Sequence, residues 1–224
     1  ELAVRDIEAS VSPLVRALKL PKIQSADHVK LLAELVGDLE AARGMPEGWT
    51  GLVPMVETAD AFFAIDDIAK ASPRVVTVVL GGEDFALDCG FVPDPEVYLY
   101  PKQQSLFAAR AAGLTPMGLI GTVADYSDLD AFRAVVRHSA KFGFEGASCI
   151  HPANVPILNE EFSPPEAAVA QARKIIAADA QNTAAGRGSF ELDGKMIDIP
   201  VVIRAQRLIA RAERIAAREN PARP

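Results

Sequence analysis

The sequence predicts an α/β fold assembled from parallel β-α units, and two stretches carry most of that prediction. Val75 to Leu80, VVTVVL, is apolar apart from Thr77 and rich in β-branched residues, the composition of a parallel strand covered on both faces. Leu52 to Val56, LVPMV, is a second apolar run. Each delivers acids at its C-terminal end: Glu57 after Leu52 to Val56, and Glu83 and Asp84 after Val75 to Leu80, behind Gly81 and Gly82. Helix-period segments separate such runs along the chain, which is the alternation of parallel β-α units.

In chain order, residues 3–17 place Val4, Ile7, Val11, Leu14 and Val15 at helical spacing, with Pro13 able to kink the segment or open a new turn. Residues 18–23 read as a short strand. Ser25 is an N-cap for a helix over 26–42, whose apolar stripe includes Val29, Leu32, Leu35, Val36 and Leu39. Strand 52–57 leads into a helix through Phe62, Phe63, Ile65 and Ile68, stopped at Ser72-Pro73. Strand 75–80 follows. Residues 86–101, with Pro93, Pro95 and Pro101, read as a long connection, and residues 102–112 as a helix capped by Gly113. Strand 117–123, a helix from about Ser127 to Phe142 with Ser127 or Asp128 as its cap, and strand 146–150 complete five β-α units.

The last ~70 residues differ in pattern. Ser163-Pro164-Pro165 opens a helix to about Ala185, closed by Gly186-Arg187-Gly188. Residues 189–199 read as a hairpin about Asp193-Gly194, a type I′ turn dipeptide. With those two residues as the loop, Leu192 faces Lys195 and Phe190 faces Ile197. Strand alternation then groups Phe190, Leu192, Ile197 and Ile199 on one face and puts Asp198 on the other. A helix over 201–218 ends the pattern. We therefore expect two domains, 1–155 and 156–224.

Half of the 224 residues are hydrophobic and the net charge is −7, with no long run of like charges. A nucleic-acid surface needs a basic face, so no nucleic-acid partner is expected. No apolar run approaches the ~20 residues of a membrane helix, so no membrane partner is expected. The N-terminal residues lack the form of a signal peptide. Cys89 and Cys149 have no metal-ligand spacing, consistent with a reduced, cytoplasmic chain.

Two apolar strands, each offering a carboxylate at its tip, suggest a hard-cation site, because ligands bind at the carboxyl ends of strands in α/β sheets and barrels. Glu57 and Asp84 are the candidate metal ligands. Gly81 and Gly82 allow an unusual backbone turn and close approach of another group. Glu83 either hydrogen-bonds behind the ligands or caps the next helix. Lys22 stands at another strand tip, where it could meet an anion. Gly82, Glu83 and Lys22 are the substrate-binding candidates.

LPKIQSADHV at 20–29, VPMVETA at 53–59, GGEDF at 81–85, IHP at 150–152, EEFSP at 160–164 and DGKMIDIP at 193–200 resemble, in order, the citrate lyase beta-subunit-like family. This family of metal-dependent acyl-CoA lyases includes malyl-CoA and citramalyl-CoA lyases. The resemblance spans nearly the whole chain. It implies a (β/α)₈ TIM barrel of about 250 residues, of which the first three strands have no counterpart here, so strands preceding Glu1 are expected. It also implies a C-terminal helix–hairpin–helix lid. Glu57 and Asp84 match the family's two Mg²⁺ ligands. Asp198 matches an aspartate that sits on the lid and reaches a neighbouring subunit's site, implying proton transfer at the acetyl-CoA methyl carbon and a homotrimer or larger assembly. Three departures stand out. The family's substrate-gripping arginine lies on a strand without a counterpart, Gly118 stands where many members have aspartate, and Lys102 stands where many have arginine.

The implied activity is Mg²⁺-dependent cleavage of a 3-hydroxy-acyl-CoA of the malyl, citramalyl or citryl type into a 2-oxo acid and an acyl-CoA. An aldolase acting on a free hydroxy-oxo acid, and a non-catalytic subunit of a lyase complex, are the alternatives.

Overall fold

The computed structural model describes residues 2–121, 127–184 and 188–219. The chain divides into two compact units, Glu1–Phe162 and Ser163–Pro224.

In the first unit, strands β1 (Ala17–Leu20), β2 (Gly51–Val56) and β3 (Val79–Leu80) form a parallel sheet in that order. β1 pairs with β2 from Ala17↔Gly51 to Leu20↔Pro54. β3 is shorter than the apolar run at 75–80 suggests. The run meets β2 at a bridge, Leu52↔Val75, and again at Met55↔Val79 and Val56↔Leu80. The gap has a local cause. Gly51 and Met55 bond toward the β1 side, whereas Leu52 and Val56 bond toward the β3 side. By alternation Pro54 also faces β3, and it has no N–H to donate.

The expected strands 117–123 and 146–150 reduce, among the described residues, to the parallel bridge Met117↔Gly146. The amide of Gly118 bonds to Gly146 and that of Glu145 to Pro116. Gly118 and Gly121 then adopt φ of 158° and 148°, backbone that L side chains rarely adopt. Residues 122 and 123 of the expected strand lie outside the described residues.

The helices fill in around this sheet. α1 (Leu2–Ser10) stops before Pro13 instead of running to residue 17, because Pro13 lacks an N–H and disfavours helix at Ser12. α2 (Ala26–Ala42) starts at Ser25, whose side chain accepts the His28 amide. The segment after β2 splits into α3 (Ala59–Phe63) and α4 (Ile65–Ala69) at Ala64. Residues 86–101 are mostly helical, contrary to the long connection expected: α5 spans Gly82–Cys89 and α6 spans Pro95–Ala111. Asp94 caps α6 and Pro95 occupies its first turn, where a missing N–H costs nothing. Pro101 is tolerated inside it. α7 (Leu129–Phe142) is capped by Asp128. A short 3₁₀ turn, Pro152–Asn154, leads into α8 (Val155–Phe162).

Two hydrophobic cores result. One joins the sheet to α2, α4 and α5 through Val29, Val36, Leu52, Val56, Ile65, Ile68 and Phe85. The other joins α7 and α8 through Phe132, Val136, Phe144, Ile157 and Phe162. α6 serves both, with Ala108 and Ala109 in the first and Leu106 in the second. One buried polar cluster holds the first core's rim. The Glu40 carboxylate lies 2.8 Å from the Arg74 guanidinium and accepts the Thr50 and Gly48 amides at 2.6 and 2.9 Å. Burial pushes this carboxyl up, but the hydrogen bonds from Arg74, Thr50 and Gly48, with the charge of Arg74, outweigh it and hold it below its ordinary value.

The second unit consists of α9 (Glu166–Ala184), strands β4 (Phe190–Leu192) and β5 (Lys195–Ile197), and α10 (Ile199–Glu219). β4 and β5 pair antiparallel in the register Phe190↔Ile197 and Leu192↔Lys195. Asp193 and Gly194 take φ of 52° and 74°, as a type I′ turn requires. Ile199 does not share the hairpin's apolar face: it opens α10 and is exposed. α9 and α10 pack on each other, burying Ala172, Val202 and Ala205. Gly186 and Arg187 lie outside the described residues.

Candidate functional site

The carboxyl ends of the strands open onto a cavity of about 220 Å³ in the first unit. Glu57 follows β2 directly and is buried, 4% exposed. Asp84 stands in the first turn of α5, immediately after β3, and its side chain is 48% exposed. The two carboxylates converge on one point. The Lys22 ammonium, on the turn after β1, lies 2.6 Å from Asp84 Oδ1 and 3.9 Å from Glu57 Oε2.

Lys22 is tied down twice, because its backbone N–H also donates to Glu57 Oε2 at 2.7 Å. This contact accompanies a left-handed backbone at Lys22, φ 54°, which costs an L-residue roughly 1–2 kcal/mol. The hydrogen bond to Asp84, opposed by burial and joined by the charges of Asp84 and Glu57, raises the Lys22 pKa. Lys22, a candidate for anion binding, thus meets two carboxylates here.

The glycines serve space more than conformation. Gly81 has φ −80° and Gly82 begins α5, so neither needs the unusual turn that the sequence suggests. A Cβ on Gly81 would stand 2.5 Å from Glu57 Cγ and 2.7 Å from Oε1; the Glu57 side chain occupies that place. A Cβ on Gly82 would meet the Tyr98 hydroxyl at 3.2 Å. Glu83 is in the first turn of α5, where its charge favours the helix, and it lines the cavity.

Sequence reasoning missed the lysines that also line the cavity. Lys102, on α6, is 7% exposed and lines the cavity. Its ammonium donates to the Leu80 carbonyl at 3.2 Å. Burial, together with the charge of Lys19 and against that of Glu83, lowers its pKa to about 8. Lys19 on β1 donates to the Ser148 hydroxyl at 3.0 Å. The signal was present: Tyr98, Lys102, Ser105 and Ala109 are buried at helical spacing on α6, a stripe visible once Pro95 is taken as the helix start.

Asp198 lies in the second unit. It precedes α10, and its Oδ1 accepts the Val201 amide at 3.3 Å while its carbonyl accepts the Val201 and Val202 amides. This is an N-cap arrangement.

The donor set suits a hard divalent ion. Two carboxylates already share one cation, the Lys22 ammonium, and both offer oxygen. No cluster of three or more His, Cys, Asp or Glu suited to a metal occurs among the described residues. A hard ion such as Mg²⁺ takes only one or two protein carboxylates and fills its other positions with water and substrate oxygens. Glu57 and Asp84 are the residues that would hold it.

Comparison with known proteins gives concordant matches. The profile of the HpcH/HpaI aldolase/citrate lyase family matches residues 1–152. Citrate lyase subunit beta of Leuconostoc mesenteroides subsp. cremoris is 32% identical over 91% of this chain and 68% of its own. An L-malyl-CoA/beta-methylmalyl-CoA lyase of Rhodobacter capsulatus is 31% identical over 90% and 69%. A (3S)-malyl-CoA thioesterase of Cereibacter sphaeroides is 34% identical over 95% and 70%. Among solved structures, the protein CitE of Mycobacterium tuberculosis, in complex with magnesium, acetoacetate and coenzyme A, superposes with a TM-score of 0.68 at 27% identity, covering 88% of this chain and 68% of that one.

Proposed function

We propose that this chain, which belongs to the HpcH/HpaI aldolase/citrate lyase family, is a Mg²⁺-dependent carbon–carbon lyase. It would cleave a 3-hydroxy-acyl-CoA of the malyl, citramalyl or citryl type to a 2-oxo acid and an acyl-CoA. The observation that carries this reading is the convergence of Glu57 and Asp84 on one cation position at the strand ends. Relatives named as lyases support the reaction class, and a neighbour solved with magnesium and coenzyme A supports the cofactor and the thioester.

In this reading Glu57 and Asp84 hold the ion, and Mg²⁺ when bound supplies Lewis acidity toward the oxygens of the 2-oxo acid. Lys22 moves off Asp84 to admit the ion, and its ammonium then remains at the rim as a donor to substrate oxygens. The Gly81 gap fixes the Glu57 side chain, so the carboxylate is preorganised and not recruited. Asp198, offered by a neighbouring subunit's lid, exchanges the proton at the acyl α-carbon. The first unit represents the later strands of a TIM barrel, and the second a lid that packs in trans within a homotrimer or larger assembly.

The thioesterase relative favours a second reading, hydrolysis of the thioester. Product analysis with malyl-, citramalyl- and citryl-CoA separates the two. The lyase releases equal amounts of 2-oxo acid and acyl-CoA, only with Mg²⁺. Release of free coenzyme A with an intact hydroxy acid would replace the lyase by the thioesterase.

A further inference from the structure

The pairing of β2 with β3 ends at Val56↔Leu80, and the Leu80–Gly81 peptide at that end is held from both sides. The Gly81 amide donates to the Val56 carbonyl at 2.9 Å, and Val56 is followed directly by Glu57. In a planar trans peptide the carbonyl points opposite to the N–H, so the Leu80 carbonyl faces away from β2. β3 is the last strand of its sheet, and among the described residues no strand pairs with it on that side. A buried carbonyl needs a donor. The Lys102 ammonium supplies it, at 3.2 Å. Tyr98, one helical turn earlier on α6, packs on the same segment. A Cβ on Gly82 would meet its hydroxyl at 3.2 Å, and its ring lies 5.5 Å from the Lys102 ammonium, within cation–π range. Lys102 and Tyr98 thus hold α6 against residues 80–82, which lead into Glu83 and Asp84.

We infer that Lys102 is a positioning residue for the metal pair: through the Leu80 carbonyl it fixes the end of β3 and so sets Asp84 relative to Glu57 before any substrate binds. The inference rests on the proposal that Glu57 and Asp84 hold a divalent ion. Both carboxylates follow closely on the gripped peptide, Glu57 next to the acceptor Val56 and Asp84 three residues after Gly81, so few bonds remain to absorb a displacement. Glu57 is buried and its side chain fills the space beside Gly81. Asp84 is half-exposed, and its place depends on the backbone that carries it. A charged donor makes the stronger hydrogen bond, which suits a carbonyl at an open strand edge. The cost is a buried ammonium. An apolar side chain at 102 would remove that cost, but it would leave the Leu80 carbonyl without this donor and the end of β3 free to shift.

The test titrates the full chain with Mn²⁺ at neutral pH without any acid substrate, reading the free ion by electron paramagnetic resonance. Wild type should bind one ion. Lys102→Met should bind it about 10–100-fold more weakly, the usual effect of removing a group that orients a metal ligand, with a urea midpoint no lower than wild type. The sign is diagnostic. Loss of a nearby positive charge by itself favours a cation, so weakening has to come from position. Lys19→Met is the control for charge, because Lys19 lines the same cavity but donates to the Ser148 hydroxyl and not to the β3 backbone. It should bind Mn²⁺ at least as tightly as wild type. Lys102→Arg, which restores a charged donor, should recover most of the affinity. Wild-type or tighter binding in Lys102→Met, equal weakening in Lys19→Met, no recovery in Lys102→Arg, or a Lys102→Met chain that does not unfold cooperatively would each overturn the assignment. A wild type that binds Mn²⁺ only with pyruvate present would also overturn it, while leaving the metal reading standing. A wild type that binds no Mn²⁺ with or without pyruvate would overturn both.

Discussion

Replacing Lys102 by methionine should make the unliganded protein more stable at neutral pH, an unusual direction for a change in a cavity wall. Burial lowers the Lys102 pKa from 10.5 to about 8 in the folded protein. That gap, at ~1.4 kcal/mol per pH unit, sets the folded state about 3 kcal/mol against the charged lysine. The sign follows from proton counts. Between about pH 8 and 10.5 the unfolded chain holds a proton on Lys102 that the folded chain has lost, so stability rises with pH across that window. The penalty is complete below pH 8 and fades as pH approaches 10.5. Methionine has similar length and no charge, but it forfeits the hydrogen bond to the Leu80 carbonyl, worth about 1.5–3 kcal/mol for a charged donor. The net gain is therefore about 1 kcal/mol at pH 7. Urea unfolding of both proteins from pH 6 to 10.5, at fixed protein concentration and without substrate, measures it. The difference should shrink and then reverse toward pH 10.5. A difference that does not vary with pH would refute the argument that the ammonium is buried and uncompensated.

Other changes test other parts of the account. Glu57→Gln and Asp84→Asn should each abolish turnover while far-UV circular dichroism and the unfolding midpoint stay near wild type; an active variant would remove that carboxylate from the site. Glu40→Gln weakens the partner of the buried Arg74, and loss of such a pair costs about 3–5 kcal/mol, read from the urea midpoint. Because the Glu40 carboxyl is held low, its contribution is present above the ordinary carboxylate range and disappears as pH falls through its lowered value, and acid titration of wild type against Glu40→Gln should show it. Asp198 has a structural duty to separate from a chemical one. Asp198→Asn keeps the α10 cap and should leave stability unchanged, whereas Asp198→Ala should lose about 1 kcal/mol; both should lose turnover. Co-assembly of inactive Asp198→Asn and Asp84→Asn chains should recover part of the activity if the lid acts in trans, and demonstrated mixing without recovery would exclude that.

Periodicity reached furthest where it acted alone. The helix at 26–42 with its Ser25 cap and the 190–197 hairpin register follow from spacing and from one turn dipeptide. Prolines account for most of the divergence. Pro95 was read as part of a loop although it stands in the first turn of α6, and Pro54 interrupts β3 from the neighbouring strand, an effect visible only once the two strands are paired. α8 escaped notice because Val155–Phe162 is short and continues from a 3₁₀ turn. For the site, the acids at strand ends were legible because strand termini and carboxylates are both local features. The lysine wall was not. Lys19, Lys102 and Ser148 come from three distant segments, and their meeting depends on the fold. Gly81 was singled out correctly as a close-approach position, but for an internal group: Glu57 takes the space.

The central claim is that Glu57 and Asp84 together hold a divalent ion that binds the 2-oxo acid. The most direct measurement uses Mn²⁺ in place of Mg²⁺ and counts bound ions by electron paramagnetic resonance, with and without pyruvate. The account predicts one ion per chain in wild type, tighter binding with pyruvate present, and loss of that site in both Glu57→Gln and Asp84→Asn. An ion bound with unchanged stoichiometry and affinity in either variant, or no ion bound by wild type in the presence of pyruvate, would contradict it.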